Sequence, residues 1–431
     1  MNERSVVVGA ILTAVLCVPT RASALQPIDV FLAGAQETDP DVRAQVATVT
    51  QRQAEMDKAT GALLPALQAQ ASYARNQYET ELPGSIFGRT GIITITPLNQ
   101  RDAAFSLSVP LVDVAAWERR AAARATRDGA HADLASSRLD LSRRVAQAYY
   151  QLVANEAVLL SAQHNLELSR DNAALTVSRR GGGTASELDV QRAKGNVARS
   201  EQDVIAAALN VTTVRRSLET LSGIRPDPTS ELLADDLHEE APLETWLVVS
   251  ERLPLVRSAK AAQRSAEESA RASGAAWLPT LTGSAQERFT NAPSLSSHTQ
   301  SYILLLTATW KLDMMVPAAL RAQRAVADVA AARAEGVRRR VGDAIFDDWH
   351  QIRAAIDRSR AARTQVEAAG VAAGLARDRY QGGIATQLDV LQAQQDLFRA
   401  DVSRIQADAD LAFWRASLRV DTAQPIGDRT R

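Results

Sequence analysis

The fold of this chain is decided by a stretch that occurs twice. Residues 179–193 read RRGGGTASELDVQRA, and residues 379–393 read RYQGGIATQLDVLQA, with eight of the fifteen positions identical. In both copies glycines end one helical stretch, because glycine enters left-handed backbone conformations without steric cost. Ser186 and Thr386, each followed three residues later by an aspartate, then start a new helix. The two stretches are therefore predicted to be the tips of two helical hairpins.

A second pair of matching stretches shows that the repeat extends over most of the chain. PIDVFLAGAQETDPDVRAQ begins at Pro27, and PLETWLVVSERLPLVRSA begins at Pro242. Two later pairs of prolines, Pro40 with Pro254 and Pro65 with Pro279, are both 214 positions apart. An internal duplication of this kind overrides a domain count based on length. The sequence predicts a first repeat at 25–223, a proline- and acid-rich surface linker at 224–241, a second repeat at 242–420 and a tail at 421–431.

The first residues have the features of a secretory leader. Arg4 precedes an apolar run at 6–18, and small residues at 22–24 stand in A-x-A order. The run is shorter than the roughly 20 residues that a membrane-spanning helix needs. We therefore expect 1–24 to be a signal peptide. Cys17, the one cysteine of the chain, lies within it, so the exported chain would have no disulfide. A lipid anchor at Cys17 remains the alternative, although the bulky residue before it is atypical of one.

The apolar period changes from helical to two in three stretches. The alternating positions are 67, 69, 71 and 73; then 105, 107, 109 and 111; and then 304, 306, 308, 310 and 312. Each repeat is therefore predicted to contain two strands of about ten residues, the length that crosses an outer-membrane-type bilayer when tilted. A segment around LPGSIFGRTG in the first repeat is predicted to be a surface loop.

A small soluble sheet would show the same alternation, so a second observation is needed. Seven aromatic residues lie in the strand stretches of the two repeats: Tyr73, Tyr78, Phe87, Phe105, Phe289, Tyr302 and Trp310. Aromatic side chains are enriched where transmembrane strands meet the membrane interface. Their clustering favours membrane strands over a soluble sheet.

Long amphipathic helices fill the remainder of each repeat. Residues 114–180 contain no proline, and apolar residues recur every 3.5 positions from Leu141, as in a coiled coil. At about 1.5 Å per residue this helix would be about 100 Å long, which exceeds the diameter of a compact domain. A return helix at 186–222 and an earlier helix at 41–63 together nearly match its length. Each repeat is therefore predicted to place one long helix beside two shorter ones stacked end to end.

Composition and motifs exclude several classes of function. The 49 basic and 50 acidic residues nearly cancel, so no overall field attracts nucleic acid. The five histidines are scattered without an i, i+4 pair that could bind a metal. The chain has no G-x-S-x-G motif, no Walker glycine loop and no cysteine nucleophile after the leader. We therefore expect no enzymatic activity, no cofactor and no metal site.

The second tip carries a resemblance to a known family. It has the pattern Y-x-x-G-x-x-x-x-x-D-V-L-x-A-Q, from Tyr380 through Gly383 and Asp389 to Gln394. Together with the leader and the duplicated helix-strand-strand-helix-helix plan, it resembles the TolC family of outer-membrane efflux proteins over essentially the whole exported chain. The resemblance implies a mainly α-helical homotrimer. Four strands per chain would form a twelve-stranded β-barrel in outer-membrane lipid, and long antiparallel helices would continue it as a tunnel in the periplasm.

The same resemblance implies partners and passive conduction. An inner-membrane pump would supply the energy, and a periplasmic adaptor, or membrane fusion protein, would connect it to the channel. The adaptor would meet the hairpin tips, which places Gly181, Gly182, Gly183, Gly382 and Gly383 in the docking region. Closure of the sheet also follows from physics, because lipid cannot hydrate unpaired strand edges.

The resemblance further implies a constriction at the tips. Asp389 matches one position of a ring of family aspartates, whereas the next acidic position is occupied here by Gln392. A ring of carboxylates would hold cations, repel anions and raise the pKa of its own members. The family link between the two hairpins maps to Tyr380 facing Asp189, and its basic partner position falls on Ala385, so that network would be thinner.

Other interpretations remain open for these residues and for the chain. Asp189 and Asp389 also stand where a capping-box carboxylate is favoured by free amides and the helix dipole. Tyr380 also falls on the 3.5-residue seam, so it could serve in packing. The alternative function is a periplasmic coiled-coil adaptor or scaffold that never enters the membrane, although such proteins usually have a single hairpin. The cargo could be a drug, a metal ion or a secreted polypeptide.

Overall fold

A computed structural model describes residues 25–87, 90–228, 235–292 and 298–426. The expected signal peptide at 1–24, with Cys17, lies outside these residues. The helices of the described part are α1 (Ile28–Thr38), α2 (Pro40–Gly61), α3 (Val114–Gly181), α4 (Glu187–Ser222), α5 (Leu243–Leu247), α6 (Pro254–Ala275), α7 (Val316–Gln381) and α8 (Gln387–Asp421). Among these residues, no helix is both long enough and apolar enough to cross a membrane.

The two longest helices form the axis of each half of the molecule. α3 has 68 residues and α7 has 66, so each is about 100 Å long. α2 and α4 both contact α3, while α6 and α8 both contact α7. This arrangement confirms the expected pairing of one long helix with two shorter ones. It also explains why both long stretches lack internal proline, which would break the hydrogen-bond ladder of the helix.

The 3.5-residue seam predicted from Leu141 is the buried face between α3 and α4. Leu141, Val145 and Leu152 are each at most 1% exposed. The one polar interruption on the return helix, Ser200, is also buried, and its hydroxyl lies 3.0 Å from the hydroxyl of Ser169. The buried hydroxyl of Ser200 therefore has a hydrogen-bond partner within the seam.

The strands form two sheets. The strands are β1 (Ala66–Arg75), β2 (Thr80–Pro83), β3 (Ile92–Thr96), β4 (Asn99–Val112), β5 (Thr280–Thr290) and β6 (Gln300–Thr309). The larger sheet is antiparallel with the order β1-β4-β5-β6, so each half contributes two neighbouring strands. The smaller sheet pairs β2 with β3. Most of the segment LPGSIFGRTG, which was expected to be a surface loop, lies between β2 and β3, and these two short strands were not predicted.

The register gives the larger sheet one apolar and one polar face. On the first face Leu67 lies opposite Leu107, and Ala285 lies opposite Leu304. On the other face Gln68 lies opposite Ser106, which lies opposite Gln286. Because side chains alternate along a strand, the predicted period of two becomes a division of the sheet into two surfaces.

The N-terminal and linker segments pack against the middle of the long helices. Phe31 of α1 is fully buried in a cluster with residues of α3 and α4. Trp246 of α5 occupies a comparable cluster with residues of α7 and α8. The two halves differ here, because α1 is a continuous helix of 11 residues whereas α5 has 5 and is followed by a separate turn.

The linker expected at 224–241 is fastened by one buried arginine. Arg415 of α8 is 6% exposed. Its guanidinium donates to Glu240 Oε1 at 2.7 Å, to Asp235 Oδ1 at 3.1 Å and to the carbonyl oxygen of His238 at 2.8 Å. Residues 235–241 of this segment are therefore docked on the second hairpin, whereas Asp227 is bound by Gln26 near the N-terminal end of the described chain.

Candidate site at the hairpin tips

Each tip is a tight turn that begins at a glycine with left-handed backbone. Gly183 and Gly383 both have a φ of +77°, a conformation that residues with a Cβ adopt only with strain. The N–H of Gly182 donates to the carbonyl of Ser178, and the N–H of Gly382 donates to that of Asp378. The two tips thus have the same geometry, in agreement with the predicted role of the glycines as helix ends.

A capping box restarts the helix at each tip. The Ser186 hydroxyl accepts from the N–H of Asp189 at 3.2 Å, and the Ser186 N–H donates to Asp189 Oδ2 at 3.1 Å. Thr386 and Asp389 repeat the arrangement at 3.3 and 2.8 Å. The threonine hydroxyl also donates to Asp389 Oδ2 at 2.7 Å. Both aspartates therefore satisfy helix-terminal amides, as their spacing predicts.

These contacts lower the pKa of both carboxyl groups. The hydroxyl of Ser186, followed by its backbone N–H, stabilises the charged form of Asp189 and lowers its pKa. The hydroxyl and N–H of Thr386 lower the pKa of Asp389 in the same way. This direction is the opposite of the rise expected from a ring of carboxylates. Within one chain, capping sets the ionisation of both residues.

An arginine joins the two tips. The Arg179 guanidinium, near the end of α3, lies 4.4 Å from the centroid of the Tyr380 ring. It also donates to the carbonyl oxygens of Tyr380 and Gln381, each at 2.7 Å. Those carbonyls end α7, and that of Tyr380 also accepts the N–H of Gly383 at 3.1 Å. Arg179 therefore caps the neighbouring hairpin and stacks on its aromatic ring at the same time.

Tyr380 does not make the contact that the resemblance implied. Its side chain is buried, and its hydroxyl has no hydrogen-bond partner among the described residues. The Asp189 carboxylate is instead bound by Ser186. The expected Tyr380–Asp189 hydrogen bond is therefore absent within one chain, and Arg179, which the sequence did not single out, connects the hairpins.

A buried amide network connects the hairpins one to two turns above the tips. Gln387 Nε2 donates to Asn172 Oδ1 at 3.2 Å, and Asn172 Nδ2 donates to Gln394 Oε1 at 3.3 Å. Gln387 is 2% exposed, because α3 covers it. Gln392, which occupies the position of a family acid, is exposed. A polar residue within a predicted seam was the available sequence signal for this network.

The four long helices share one groove of about 770 Å³ with a mixed polar and apolar lining. Asn155 of α3, Thr213 of α4, Arg358 of α7 and Asp410 of α8 all line it. Because a single groove touches all four helices, they form an arc with the groove on its concave side. Burial in this groove raises the pKa of Asp410. Amide, hydroxyl and charged side chains line the groove together with Tyr150, Phe413 and Trp414.

Comparisons with known proteins agree with this architecture. A family model described as outer membrane efflux protein matches residues 32–224 and 249–420. The pyoverdine export outer membrane protein OpmQ of Pseudomonas putida is 27% identical over 92% of this chain and 86% of its own length. The fusaric acid resistance protein FusA of Burkholderia cepacia is 27% identical over 50% of this chain, and the match spans only 40% of FusA.

A solved structure shares the fold at low identity. The outer-membrane channel OprN matches with a TM-score of 0.79 and 20% identity, covering 93% of this chain and 90% of OprN. These findings favour a channel over the periplasmic adaptor or scaffold. Because the family model covers most of both repeats, this chain belongs to the outer membrane efflux protein family.

Proposed function

We propose that three copies of this chain form a tunnel that conducts substrates from a periplasmic adaptor and inner-membrane pump to the exterior, in tripartite efflux or type I secretion. The observation that carries the proposal is the open sheet β1-β4-β5-β6. β1 and β6 are edge strands, and every residue of both is exposed in one chain. In a bilayer such edges must pair, because lipid offers no hydrogen bonds to free backbone groups.

The two faces of the sheet support closure around a polar interior. The apolar face, with Leu67, Leu107 and Leu304, would contact lipid. The polar face, with Gln68, Ser106 and Gln286, would line the lumen. Alternation of lipid-facing and lumen-facing residues is the pattern of transmembrane barrels. Three four-stranded sheets joined edge to edge would give twelve strands.

Aromatic residues lie at both ends of the proposed membrane band. Trp310 directly follows β6, and its indole N–H donates to the carbonyl of Trp277 at 2.9 Å. Tyr302, eight positions earlier, lies near the other end of the strand and is 77% exposed. At about 3.3 Å per residue the two are ~26 Å apart along the strand. Because barrel strands are tilted by about 35–45°, this is ~20 Å along the membrane normal, somewhat less than the apolar band of about 25 Å between aromatic girdles.

The helical arc supplies the tunnel wall. Three arcs side by side would enclose the concave grooves that contain Asn155, Thr213 and Asp410. A lumen lined by such polar groups suits passage of hydrated substrates. The tips, with their exposed glycine turns, would close the narrow end and receive the adaptor.

A constriction built from Asp389 and Gln392, with Asp189 and Tyr380 beside it, is part of the proposal. Both Asp389 and Gln392 are exposed and lie one helical turn apart at the start of α8. In a trimer three Asp389 carboxylates would face a common axis. Their repulsion would oppose the lowering of the pKa by Thr386.

Oligomeric state and conductance test the proposal directly. Protein extracted from outer membranes in detergent should have three times the mass of the processed chain, measured by size-exclusion chromatography with light scattering. The same preparation should form pores in planar bilayers. Fusaric acid and pyoverdine, for which the two relatives are named, are the first compounds to test. A strain that lacks the gene should export less of a compound that the tunnel conducts. A monomer that stays soluble without detergent would overturn the proposal.

A further inference from the structure

The arginine of the second tip that corresponds to Arg179 has no partner among the described residues of one chain. Arg379 occupies the same position in the second tip as Arg179 in the first, shortly before the glycine turn. Arg179 is half-buried against the second tip. Arg379 is exposed, and its guanidinium has no hydrogen bond or ion pair within the described ranges. The two equivalent arginines therefore differ only in what lies beside them.

The first residues of the helices that follow the two tips show the same difference. Gln387 is 2% exposed because it packs against α3, whereas Glu187 at the equivalent position of α4 is exposed. Within the described part of the chain, no helix covers Glu187. The first tip thus presents an uncovered surface that corresponds to the covered surface of the second tip.

The order of the helices places these two surfaces on opposite flanks of the arc. α3 contacts both α4 and α8, and α8 contacts α7. α4 and α7 therefore form the outer flanks. Both flanks carry exposed apolar side chains: Ile205 and Leu209 on α4 and, closer to the tip, Val371 and Leu375 on α7. When arcs are joined into a ring, α7 of one copy meets α4 of the next.

We propose that Arg379 clamps the first tip of a second copy of this chain. Its guanidinium donates to the carbonyl oxygens of Arg180 and Gly181 in that copy, which are equivalent to the Tyr380 and Gln381 carbonyls bound by Arg179. The inference rests on the proposed trimer and adds the contact that joins its subunits at the tips. The tips would then be joined by six alternating arginine clamps, three within chains and three between them.

The clamp between copies lacks the aromatic platform of the clamp within a chain. Tyr380 is replaced at the equivalent position of the first tip by Arg180, whose own guanidinium pairs with Glu187 at 2.6 Å. That ion pair offsets the charge that Arg379 would meet, but it provides no ring for stacking. The seam between copies is therefore the weaker of the two seams, and the tips separate there first.

Paired cysteines test this contact with a built-in control. Cys17 is first replaced by alanine. In the test variant Arg379→Cys is combined with Gly181→Cys, where a Cβ meets nothing within 4 Å. In the matched control Arg179→Cys is combined with Gln381→Cys. Each protein is treated with a short bismaleimide in membranes and then analysed on denaturing gels and, without crosslinker, by mass in detergent.

The expected result is that the test pair yields covalent dimers and trimers at the expense of monomer. The control pair should yield only an internally crosslinked monomer. Test protein that is trimeric in detergent but gives no covalent dimer would overturn the Arg379 contact while the trimer stands. Test protein that is monomeric in detergent, together with a monomeric control, would overturn the proposed trimer itself.

Discussion

At the scale of single residues, Asp389 combines two properties that can be changed separately. Its carboxylate caps the start of α8 through Thr386, and its charge would belong to a ring if three tips meet. Thr386 contributes only to the cap. The pair therefore offers one variant that removes charge and another that removes the cap.

We expect Asp389→Asn to change ion selectivity without changing stability much. Asparagine keeps an acceptor near the first amides of the helix, so most of the cap survives. Thr386→Ala, the control, should cost about 1 kcal/mol of local stability and leave selectivity unchanged. Reversal potentials in planar bilayers and melting curves, measured on the same preparations, separate the two effects. Unchanged selectivity in Asp389→Asn would remove this residue from the constriction.

Acid should loosen both tips. The hydroxyl and backbone N–H of Ser186 and of Thr386 hold the folded-state pKa values of Asp189 and Asp389 below the usual range of an aspartate. A carboxyl group with a depressed folded pKa contributes stability above its unfolded pKa and loses it as pH falls through the folded value. Hydrogen exchange of the tip amides, corrected for intrinsic rates, should therefore accelerate below about pH 4. Ser186→Ala with Thr386→Ala should show a smaller pH effect, and equal effects would contradict the capping account.

At the scale of elements, helix ends were predictable because their signals are local. Proline, glycine and capping residues fix α3, α4 and α8 within one or two residues of the predicted bounds. The hairpin of β2 and β3 was missed because its strands have only four and five residues and include Pro83. Such strands give too short an alternating pattern to distinguish from a loop.

The contacts between elements were much less predictable. Arg179 and Tyr380 are separated by about two hundred positions, and only folding brings the guanidinium over the ring. An arginine in the last turn of a helix is expected for its own carbonyls. That it caps a different helix follows from the packing of α3 beside α8, which no local pattern encodes. For the same reason, the attachment of the linker to Arg415 could not be predicted from the sequence.

Arg415→Met should release the linker from the second hairpin. The substitution leaves the Glu240 and Asp235 carboxylates, which are only partly exposed, without their cation. Breaking such a pair should cost about 2–4 kcal/mol, somewhat less than for a fully buried one. We expect a lower melting temperature and faster protease cleavage at 235–241. Arg399→Ala on the same helix, whose ion pair is exposed and 3.8 Å long, is the control and should change neither.

The left-handed glycines should be required for export but not for assembly. Gly383→Val forces a β-branched residue to a φ of +77°, which costs about 1–2 kcal/mol at the tip alone. Bulk or charge at Gly182, Gly183 or Gly382 should act similarly, since each lies on the surface proposed to meet the adaptor. Gly195→Ala, in a helical position of α4 with open space around it, is the tolerated control. Normal export by Gly383→Val, with trimers still in the membrane, would show that the adaptor docks elsewhere.

At the scale of the whole molecule, the two halves follow the same plan, and together they form a sheet of four strands with two free edges. Each half is incomplete, because its strand pair has too few partners to close. The four strands of one chain also have too few partners to close into a barrel. The alternation in the sequence indicates that each strand has two faces. Only the pairing register shows that the more apolar faces of the four strands lie on the same side of the sheet.

Neighbouring residues of β6 test which side of that sheet contacts lipid. Leu304 lies on the apolar face, opposite Ala285, whereas Leu305 lies on the polar face, opposite Ser284. An arginine on the lipid face near the bilayer midplane costs about 2–4 kcal/mol, and one that points into a polar lumen costs far less. We therefore expect Leu304→Arg to reduce the amount of trimer recovered from outer membranes at least several-fold. Leu305→Arg should assemble normally and shift the pore toward anion preference, because it adds positive charge to the lumen. The reverse outcome, with Leu305→Arg failing to assemble and Leu304→Arg inserting normally, would show that the barrel is closed with its faces exchanged.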